Sequence, residues 1–207
     1  PSRGVWCDGE TIFVNGEEVL KVGDIKIPGW HNVENYMAAI GAVWGDVSPE
    51  NIRRVAKEFG GVEHRAELVR ELDGVKYYND SIASSPTRTI SGTLSLYKEK
   101  IILICGGYDK HIPYTPLGPV ICEKVKTLIL LGATGPQIEE AVKSAANYQE
   151  GAPRILCAAS MEEAVALAQR EAVPGDVVSL SPASAAFDLY PNFEVRGRHF
   201  KELVNGL

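Results

Sequence analysis

The sequence predicts an α/β fold built on a mostly parallel sheet with helices on both faces. Near-continuous apolar runs such as 100–105 (KIILIC) and 126–132 (KTLILLG) indicate strands buried on both sides. These strands alternate with helical patterns, which is typical of parallel α/β sheets. The chain has 207 residues, of which 45% are apolar and 23% charged. That size and balance allow a substantial core.

The N-terminal part has a different pattern. Two strand-like runs flank Asn15-Gly16, a pair that favours a β-hairpin because both residues tolerate positive φ. A helix is predicted at about 32–44, and Ser48-Pro49 is predicted to begin the next helix, with serine as its N-cap. We therefore expect a domain boundary at about 45–48, dividing the chain into 1–46 and 47–207.

From residue 75 onward, strands and helices alternate. Strands are predicted at 75–80, 100–105, 126–132, 154–159 and 176–181, with helices near 87–97 and 136–147. Ser160 and Glu163 form a capping-box pattern that begins one more helix. Parallel sheets bind ligands at the carboxyl ends of their strands. Four of these ends carry distinctive polar loops: NDSIASSPT, CGGYDK, LGATG and LSPASAAFD.

Several function classes have little support. Lys plus Arg is 21 and Asp plus Glu is 27, a net charge of −6, which argues against nucleic-acid binding. No apolar run approaches the ~20 residues that a membrane helix needs. No G-x-G-x-x-G is present, and the segment from Gly4 to Thr11 has Glu10 where a P-loop needs lysine. The four cysteines are not clustered, so buried free thiols in a cytoplasmic protein, without a metal site, are expected.

The polar clusters each have an ordinary structural explanation when taken singly. Asn32 suits a helix cap, and Asp80 suits the N-terminus of a helix, where a carboxylate is stabilised by ~0.3–1 kcal/mol. His64-Arg65 could be an ordinary surface pair, and the segment from Asn192 could simply begin a helix.

Together and in this order, the segments resemble the ATP-dependent Mur ligases of peptidoglycan synthesis. The matching segments are GWHNVENYMAAIGA, VEHRAELV, GVKYYNDSIASSPT, ICGGYDK and LSPASAAFDLYPNFEVRGRHF, which together extend from residue 29 to residue 200. The last of them favours the branch of the family that adds D-glutamate.

The resemblance implies a domain plan. Residues 1–46 would be the end of the family's central ATP-binding domain, and 47–207 its C-terminal Rossmann-like domain, which binds the amino acid. The phosphate-binding loop, the Mg²⁺ ligands and the UDP site would then lie upstream of Pro1, and the chain alone is expected to be inactive. The implied substrates are ATP, UDP-N-acetylmuramoyl-L-alanine and D-glutamate, in the cytoplasm.

The resemblance also implies residues on the nucleotide side. Asn32 and Asn35 match the adenine-side contacts, and an amide suits a purine edge because it offers both a donor and an acceptor. Arg65 matches the arginine that reaches the ATP phosphates, where a charge-assisted bond contributes ~1.5–3 kcal/mol. Asp80 matches the acidic residue near the ribose.

On the amino-acid side, Lys110 matches the lysine that pairs with a carboxylate of D-glutamate. Phe187, Asn192 and Phe193 match the loop that encloses this amino acid, in part through backbone amides. Arg65 and Lys110 would thus carry the charge stabilisation on which the reaction depends.

The sequence departs from the family pattern at two places. The family often has D-S-K-A-T-N where this chain has Asp80-Ser81-Ile82-Ala83-Ser84-Ser85, so a cation is missing at Ile82 while Ser84 keeps the hydroxyl. Ala186 stands where a substrate-binding serine is expected. We expect Arg88, at the start of the following helix, to supply the missing charge.

Two alternatives remain open at this point. The chain could belong to another amino-acid ligase of the Mur or folylpolyglutamate type. It could also be a Rossmann-like module that binds a small molecule without catalysis.

Overall fold

The computed structural model describes residues 3–207; Pro1, from which the predicted first domain begins, and Ser2 lie outside the described residues. The chain forms two compact units, one ending at Gly61 and the other extending from Val62 to Leu207. No helix in the described part of the chain is long and apolar enough to cross a membrane.

The first unit contains an antiparallel sheet in the order β1-β2-β3. Its elements among the described residues are β1 (Val5–Cys7), β2 (Thr11–Val14), β3 (Glu17–Lys21), a 3-10 turn (Val22–Asp24), α1 (Trp30–Val43) and α2 (Pro49–Glu58). The predicted hairpin is confirmed, because Asn15 (φ 51°) and Gly16 (φ 90°) both adopt left-handed conformations between β2 and β3.

The division between the units lies later than the predicted domain boundary at 46/47. Ser48 caps α2 as expected, accepting a hydrogen bond from Asn51 N at 3.4 Å. However, Ile52 and Ala56 of this helix are buried in the same core as Ile12 and Val33. Helix α2 therefore packs within the first unit, because its apolar stripe completes that unit's core.

The second unit is a six-stranded sheet in the order β4-β5-β9-β6-β7-β8. Strands β5 to β9 pair in parallel, and β4 pairs antiparallel with β5. The elements are β4 (Glu67–Leu72), β5 (Val75–Asn79), α3 (Pro86–Ser91), α4 (Thr93–Leu96), β6 (Ile101–Cys105), α5 (Leu117–Lys124), β7 (Val125–Leu131), α6 (Gly135–Lys143), β8 (Arg154–Ala158), α7 (Met161–Glu171), β9 (Val177–Leu180) and α8 (Phe193–Asn205).

Both faces of this sheet are covered, which confirms the predicted fold class. In β6, Ile102 and Ile104 pack in one core with residues of α7 and α8, while Leu103 packs in a second core with residues of α5 and α6. Successive side chains of a strand point to opposite faces, so a strand between two helical layers must be apolar throughout.

Four local features differ from expectation, one of them helix α5 (Leu117–Lys124), which was not predicted. Strand β4 was not predicted, although Asp73-Gly74 (φ 51° and 77°) forms a hairpin turn with a recognisable sequence signal. The helix predicted at 87–97 is interrupted at Gly92, which ends α3 and begins α4. Cys157, predicted to be buried, is exposed because β8 is an edge strand.

Candidate functional site at the carboxyl edge of the sheet

The loops that follow β6, β7 and β9 are joined by backbone hydrogen bonds, and the loop after β5 joins them through Ser181 Oγ, which donates to Asp80 Oδ2 at 3.0 Å. Gly106 N donates to Pro182 O at 2.7 Å, and Tyr108 N donates to Ala185 O at 2.9 Å. Thr134 N donates to the Gly107 carbonyl at 2.9 Å, which adds the loop after β7. The predicted meeting of these loops at one edge of the sheet is therefore confirmed.

Arg65 lies in a strained turn just before β4. Its neighbours His64 (φ 66°) and Ala66 (φ 44°) are both in the left-handed region, which is costly for residues with a side chain. Two carboxylates hold the turn: Glu67 Oε2 accepts from His64 N at 3.0 Å, and Asp80 Oδ1 accepts from Ala66 N at 3.3 Å. The Arg65 side chain is exposed, so its guanidinium is available to a ligand.

His64 anchors this turn inside the unit. Its ring is 4% exposed, and its Nδ1 accepts a hydrogen bond from Asn79 Nδ2 at 2.9 Å. The ring packs edge-on against Phe193, with centroids 5.9 Å apart. A Cβ at Gly197 would lie 2.3 Å from His64 Nδ1, so only glycine fits there. His64-Arg65 is therefore not an ordinary surface pair, because the Arg65 side chain is exposed whereas the His64 ring is buried.

Asp80 is buried rather than open to solvent, with 5% of its surface exposed. Its Oδ2 accepts from Thr93 Oγ1 at 2.7 Å and from Ser181 Oγ at 3.0 Å. Burial raises the pKa of Asp80, and the hydrogen bonds from Thr93 and Ser181 oppose this shift. In this structure, Asp80 therefore ties the Arg65 turn to β9, and a ribose contact through the same carboxylate stays a prediction.

Lys110 follows a turn of two glycines after β6. Gly106 (φ 116°) and Gly107 (φ 150°) both adopt conformations that L residues rarely take, and Lys110 lies exposed beyond them. Next to it, Asp109 accepts hydrogen bonds from Gln137 Nε2 at 2.9 Å and from His111 N at 2.6 Å. The bond from Gln137 is the main cause that lowers the pKa of Asp109, so its carboxylate is ionised at neutral pH beside Lys110.

A buried chain of hydroxyl groups fixes the glycine turn from below. Ser184 Oγ lies 2.8 Å from both Tyr114 Oη and Thr134 Oγ1. Thr134 Oγ1 in turn accepts from Gly107 N at 3.0 Å. The loops after β6, β7 and β9 therefore share one network, in which every hydroxyl has a partner.

The segment from Phe187 to Phe193 lies next to these loops. Phe187 is 63% exposed, and its ring meets that of Tyr108 edge-on, with centroids 5.9 Å apart. Asn192 caps α8 by accepting a hydrogen bond from Val195 N at 2.8 Å, which confirms that a helix begins at this segment. The Phe193 carbonyl accepts from Ser81 Oγ at 2.7 Å, which joins the start of α8 to the loop after β5.

Ser84 and Arg88 lie in and just after the loop that follows β5. Ser84 is half-buried, and its amide donates to the Ile82 carbonyl at 2.8 Å. Arg88 is exposed in the short helix α3. Its compensation for Ile82 stays a prediction.

Asn32 and Asn35 belong to the first unit, on the first turns of α1. Asn32 Nδ2 donates to the Pro28 carbonyl at 2.6 Å, and Asn35 Nδ2 donates to Asn32 Oδ1 at 3.4 Å. Asn32 lies inside α1, whose N-cap is Gly29, so the capping role considered for Asn32 is wrong. The adenine contacts of both residues stay a prediction.

Among the described residues, three side chains are close enough to hold a metal ion: Glu63, His64 and Glu67. The Lys201 ammonium already occupies this group, donating to Glu63 Oε1 at 3.1 Å and also to Glu67. The group is therefore an ion-pair cluster that holds the Arg65 turn against α8.

Arg196 was not predicted from the sequence as a site residue. Its side chain is 2% exposed, and burial lowers its pKa to about 10, so the guanidinium stays protonated at neutral pH. A signal was present: Phe200 and Val204, both fully buried, follow it at steps of four residues on α8. That helical spacing places Arg196 on the buried face of the helix.

Comparison with known proteins decides the family. The model of the Mur ligase glutamate ligase domain matches residues 64–184. The chain belongs to the Mur ligase family.

Similar Mur ligases include the UDP-N-acetylmuramoylalanine–D-glutamate ligase of Acetivibrio thermocellus, which is 56% identical over 206 residues, covering 97% of this chain and 44% of the relative. The enzyme of the same name from Clostridium acetobutylicum is 54% identical over 196 residues, covering 95% of this chain and 42% of the relative. The chain thus spans less than half the length of these Mur ligases.

Solved structures support the fold. The pseudomurein peptide ligase type C of Methanothermus fervidus is 14% identical with a TM-score of 0.68, covering 100% of this chain and 42% of that protein. A UDP-N-acetylmuramoylalanyl-D-glutamyl-2,6-diaminopimelate–D-alanyl-D-alanyl ligase from Acinetobacter baumannii is 15% identical with a TM-score of 0.65, covering 99% of this chain and 44% of that protein. The Rossmann-like α/β fold expected for this Mur ligase is confirmed.

Proposed function

We propose that this chain is the amino-acid-binding part of an ATP-dependent ligase that joins D-glutamate to UDP-N-acetylmuramoyl-L-alanine in peptidoglycan synthesis. One observation carries the proposal: the loops bearing Asp80, Lys110 and Phe187 are joined at the carboxyl edge of the sheet, beside the Arg65 turn. Two relatives that are named UDP-N-acetylmuramoylalanine–D-glutamate ligase, 56% and 54% identical to the chain, support the choice of D-glutamate.

On the nucleotide side, Arg65 binds the ATP phosphates. The exposed guanidinium stands on a turn fixed by Glu67 and Asp80, so the backbone that carries it loses little conformational entropy when it meets a phosphate. Asn32 and Asn35 of the first unit offer amide groups to the adenine.

On the amino-acid side, Lys110 pairs with a carboxylate of D-glutamate, and the Ser84 hydroxyl and Arg88 contribute to the same group. The amides of Phe193 and Glu194 lie in the first turn of α8, where they have no acceptor within the helix. They are suited to the second carboxylate. Phe187 and Asn192 enclose this end of the substrate.

In the proposed reaction, ATP phosphorylates the carboxylate of UDP-N-acetylmuramoyl-L-alanine, and the D-glutamate amine then displaces phosphate from the acyl phosphate. The residues of this chain position the substrates and stabilise charge, which is how such reactions are accelerated without a covalent nucleophile. Mg²⁺ neutralises phosphate charge when bound. The described residues fit ATP phosphates at Arg65, but the cluster of potential metal ligands among them, Glu63, His64 and Glu67, is paired with Lys201.

We assign the remaining parts of the reaction to regions of the relatives that this chain does not span. These regions would hold the phosphate-binding loop, the Mg²⁺ ligands and the UDP site, and the complete enzyme would work in the cytoplasm. The 207 residues alone are expected to release no ADP. Calorimetry should find that they bind ATP at millimolar level or not at all, and micromolar affinity would contradict this assignment.

The test measures amino-acid-dependent ADP release by the complete ligase that carries this chain. We expect D-glutamate to support turnover with UDP-N-acetylmuramoyl-L-alanine, and diaminopimelate and L-alanine not to. Greater turnover with another amino acid would refute the assignment and favour a different ligase of the family. No turnover with any amino acid would favour a binding module.

Lys110→Ala tests the site itself. The variant should raise the KM for D-glutamate by about 10-fold to 100-fold, which corresponds to one charge-assisted bond of ~1.5–3 kcal/mol. Lys98→Ala is the matched control, because Lys98 is an exposed lysine that precedes β6 at the opposite end of that strand. Equal effects of the two variants would refute the role of Lys110.

A further inference from the structure

Arg196 is a buried cation that has no carboxylate partner among the described residues. All five N–H groups of its guanidinium have neutral acceptors. Nε donates to Ser81 Oγ at 3.0 Å, and Nη2 donates to Ser81 O at 2.8 Å and to Ser184 O at 3.2 Å. Nη1 donates to Ser184 O at 3.1 Å and to Ala185 O at 3.0 Å. Burying a charge is costly, and this cost is offset here because every N–H group of the guanidinium has a hydrogen-bond acceptor.

These acceptors lie on two different loops of the carboxyl edge. Ser81 is in the loop after β5, three residues before Ser84, and Ser184 and Ala185 are in the loop after β9, just before Phe187. The planar guanidinium therefore fixes the two loops relative to each other and to α8, on which Arg196 lies.

A third loop is coupled to the same group. The Ala185 carbonyl accepts from Arg196 Nη1 and also from Tyr108 N at 2.9 Å. Tyr108 lies two residues before Lys110, so the lysine loop is held through this shared acceptor. A Cβ at Gly107 would lie 3.1 Å from Arg196 Nη1, which shows how closely the turn approaches the guanidinium.

The Arg65 turn is held differently. Glu67 and Asp80 accept hydrogen bonds from its backbone amides, and the Asp80 carboxylate is in turn bound by Thr93 and Ser181. One further bond, from Ile82 N to the His64 carbonyl at 3.2 Å, links the turn to the loop after β5. None of these bonds involves Arg196. The guanidinium thus supports the loops of the amino-acid side more directly than the turn of the nucleotide side.

We infer that Arg196 is a positioning residue that holds the loops of Ser84, Lys110 and Phe187 in the geometry that binds the amino-acid substrate. The inference rests on the proposed function for the identity of that substrate, and on the contacts above for the role of the arginine. Arg196 itself is buried and does not touch the substrate.

The first measurement needs no activity. In Arg196→Met, amide hydrogen exchange at Tyr108 should become at least about tenfold faster, because its acceptor loop is released. Exchange at Leu128, in the interior of β7, should stay unchanged. Arg198→Met is the matched control, since Arg198 lies on the same helix but is exposed.

The second measurement uses the complete ligase. Arg196→Met should raise the KM for D-glutamate by at least about tenfold, since a misplacement of about 1 Å costs as much as 10²-fold. The factor by which the KM for ATP changes should be less than about a third of the factor for D-glutamate. Arg198→Met should change neither of the two KM values.

Two results would overturn the inference. One is a folded Arg196→Met protein with unchanged exchange at Tyr108 and an unchanged KM for D-glutamate. The other is a uniform loss, in which exchange at Leu128 and the KM for ATP change as much as the amino-acid parameters do, because Arg196 would then only stabilise the fold.

If Arg196→Met does not fold, Ser81→Ala decides. It removes the Oγ acceptor of Nε, together with the bond from Ser81 Oγ to the Phe193 carbonyl, but keeps the Ser81 carbonyl. The same changes should therefore occur at smaller size, and their absence would overturn the inference. If the wild-type ligase does not use D-glutamate, the proposed function fails, while exchange at Tyr108 still decides whether Arg196 positions the loops.

Discussion

Replacing Gly107 with alanine should lower the stability of the second unit and move the loops of its candidate site. Gly107 has φ 150°, and a Cβ there would lie 2.3 Å from the Ala185 carbonyl oxygen, well inside the 3.0 Å that real Cβ contacts keep. The clash involves backbone, so a side-chain rotation cannot relieve it. The two loops must move apart.

The cost follows from two contributions. The backbone conformation costs a residue with a side chain about 1–3 kcal/mol. Moving Ala185 away weakens the hydrogen bond from Tyr108 N, which is worth about 1 kcal/mol. We expect Gly107→Ala to lower the free energy of unfolding by about 3 kcal/mol. Gly151→Ala is the control, because Gly151 (φ 79°) has nothing within 4 Å, so only the left-handed conformation, about 1 kcal/mol, is lost.

Urea denaturation followed by far-UV circular dichroism measures this difference. The three tryptophans, Trp6, Trp30 and Trp44, all lie in the first unit. Their fluorescence therefore follows that unit and serves as an internal reference. Equal destabilisation by the two variants would refute the reasoning, since it would mean that the close approach at Gly107 costs nothing.

Three further outcomes are expected. In the same denaturation experiment, Ser179→Ala should leave the free energy of unfolding unchanged or raise it by up to about 1–2 kcal/mol. The reason is that the buried Ser179 hydroxyl has no hydrogen-bond partner among the described residues. A loss above about 1 kcal/mol would contradict this prediction. Phe200→Ala should lower the free energy of unfolding by about 3–5 kcal/mol, because the ring is fully buried between α8 and the sheet. A loss below about 1 kcal/mol would show that α8 is not anchored there. Asp80→Asn should gain stability relative to wild type as pH rises. Burial raises the pKa of Asp80 in the folded state, so the wild type loses stability as pH rises from the ordinary carboxyl pKa to that raised value. Denaturation between about pH 4 and about pH 8 measures the pH dependence of this difference, and a flat or opposite slope would show that the folded-state pKa is not raised.

Local sequence signals predicted much of the secondary structure. The Asn15-Gly16 hairpin needs only two residues that tolerate positive φ, and the structure has both there. Ser160 accepts from Glu163 N at 3.3 Å, as the capping pattern predicts, although the Glu163 carboxylate binds Ala159 N rather than the cap residue's own amide. Such signals lie within a few residues of each other, so they can be read along the chain.

The expectation that distant loops meet also came from a general rule. Parallel strands have their carboxyl ends at one edge, so the loops after β5, β6, β7 and β9 had to lie close together once the sheet was predicted. The rule places loops, however, and not the side chains within them.

By itself, the sequence determined the fold class, the loops of the candidate site and the family, because periodicity and turn chemistry are carried by neighbouring residues and the order of the motifs is read along the chain. Only the tertiary structure decided that Asp80 faces inward, that α2 packs with the first unit, and that Arg196 joins the loops. Arg196 and Ser81 are 115 positions apart, and whether a charged side chain is buried depends on acceptors supplied by chain segments that meet only after folding.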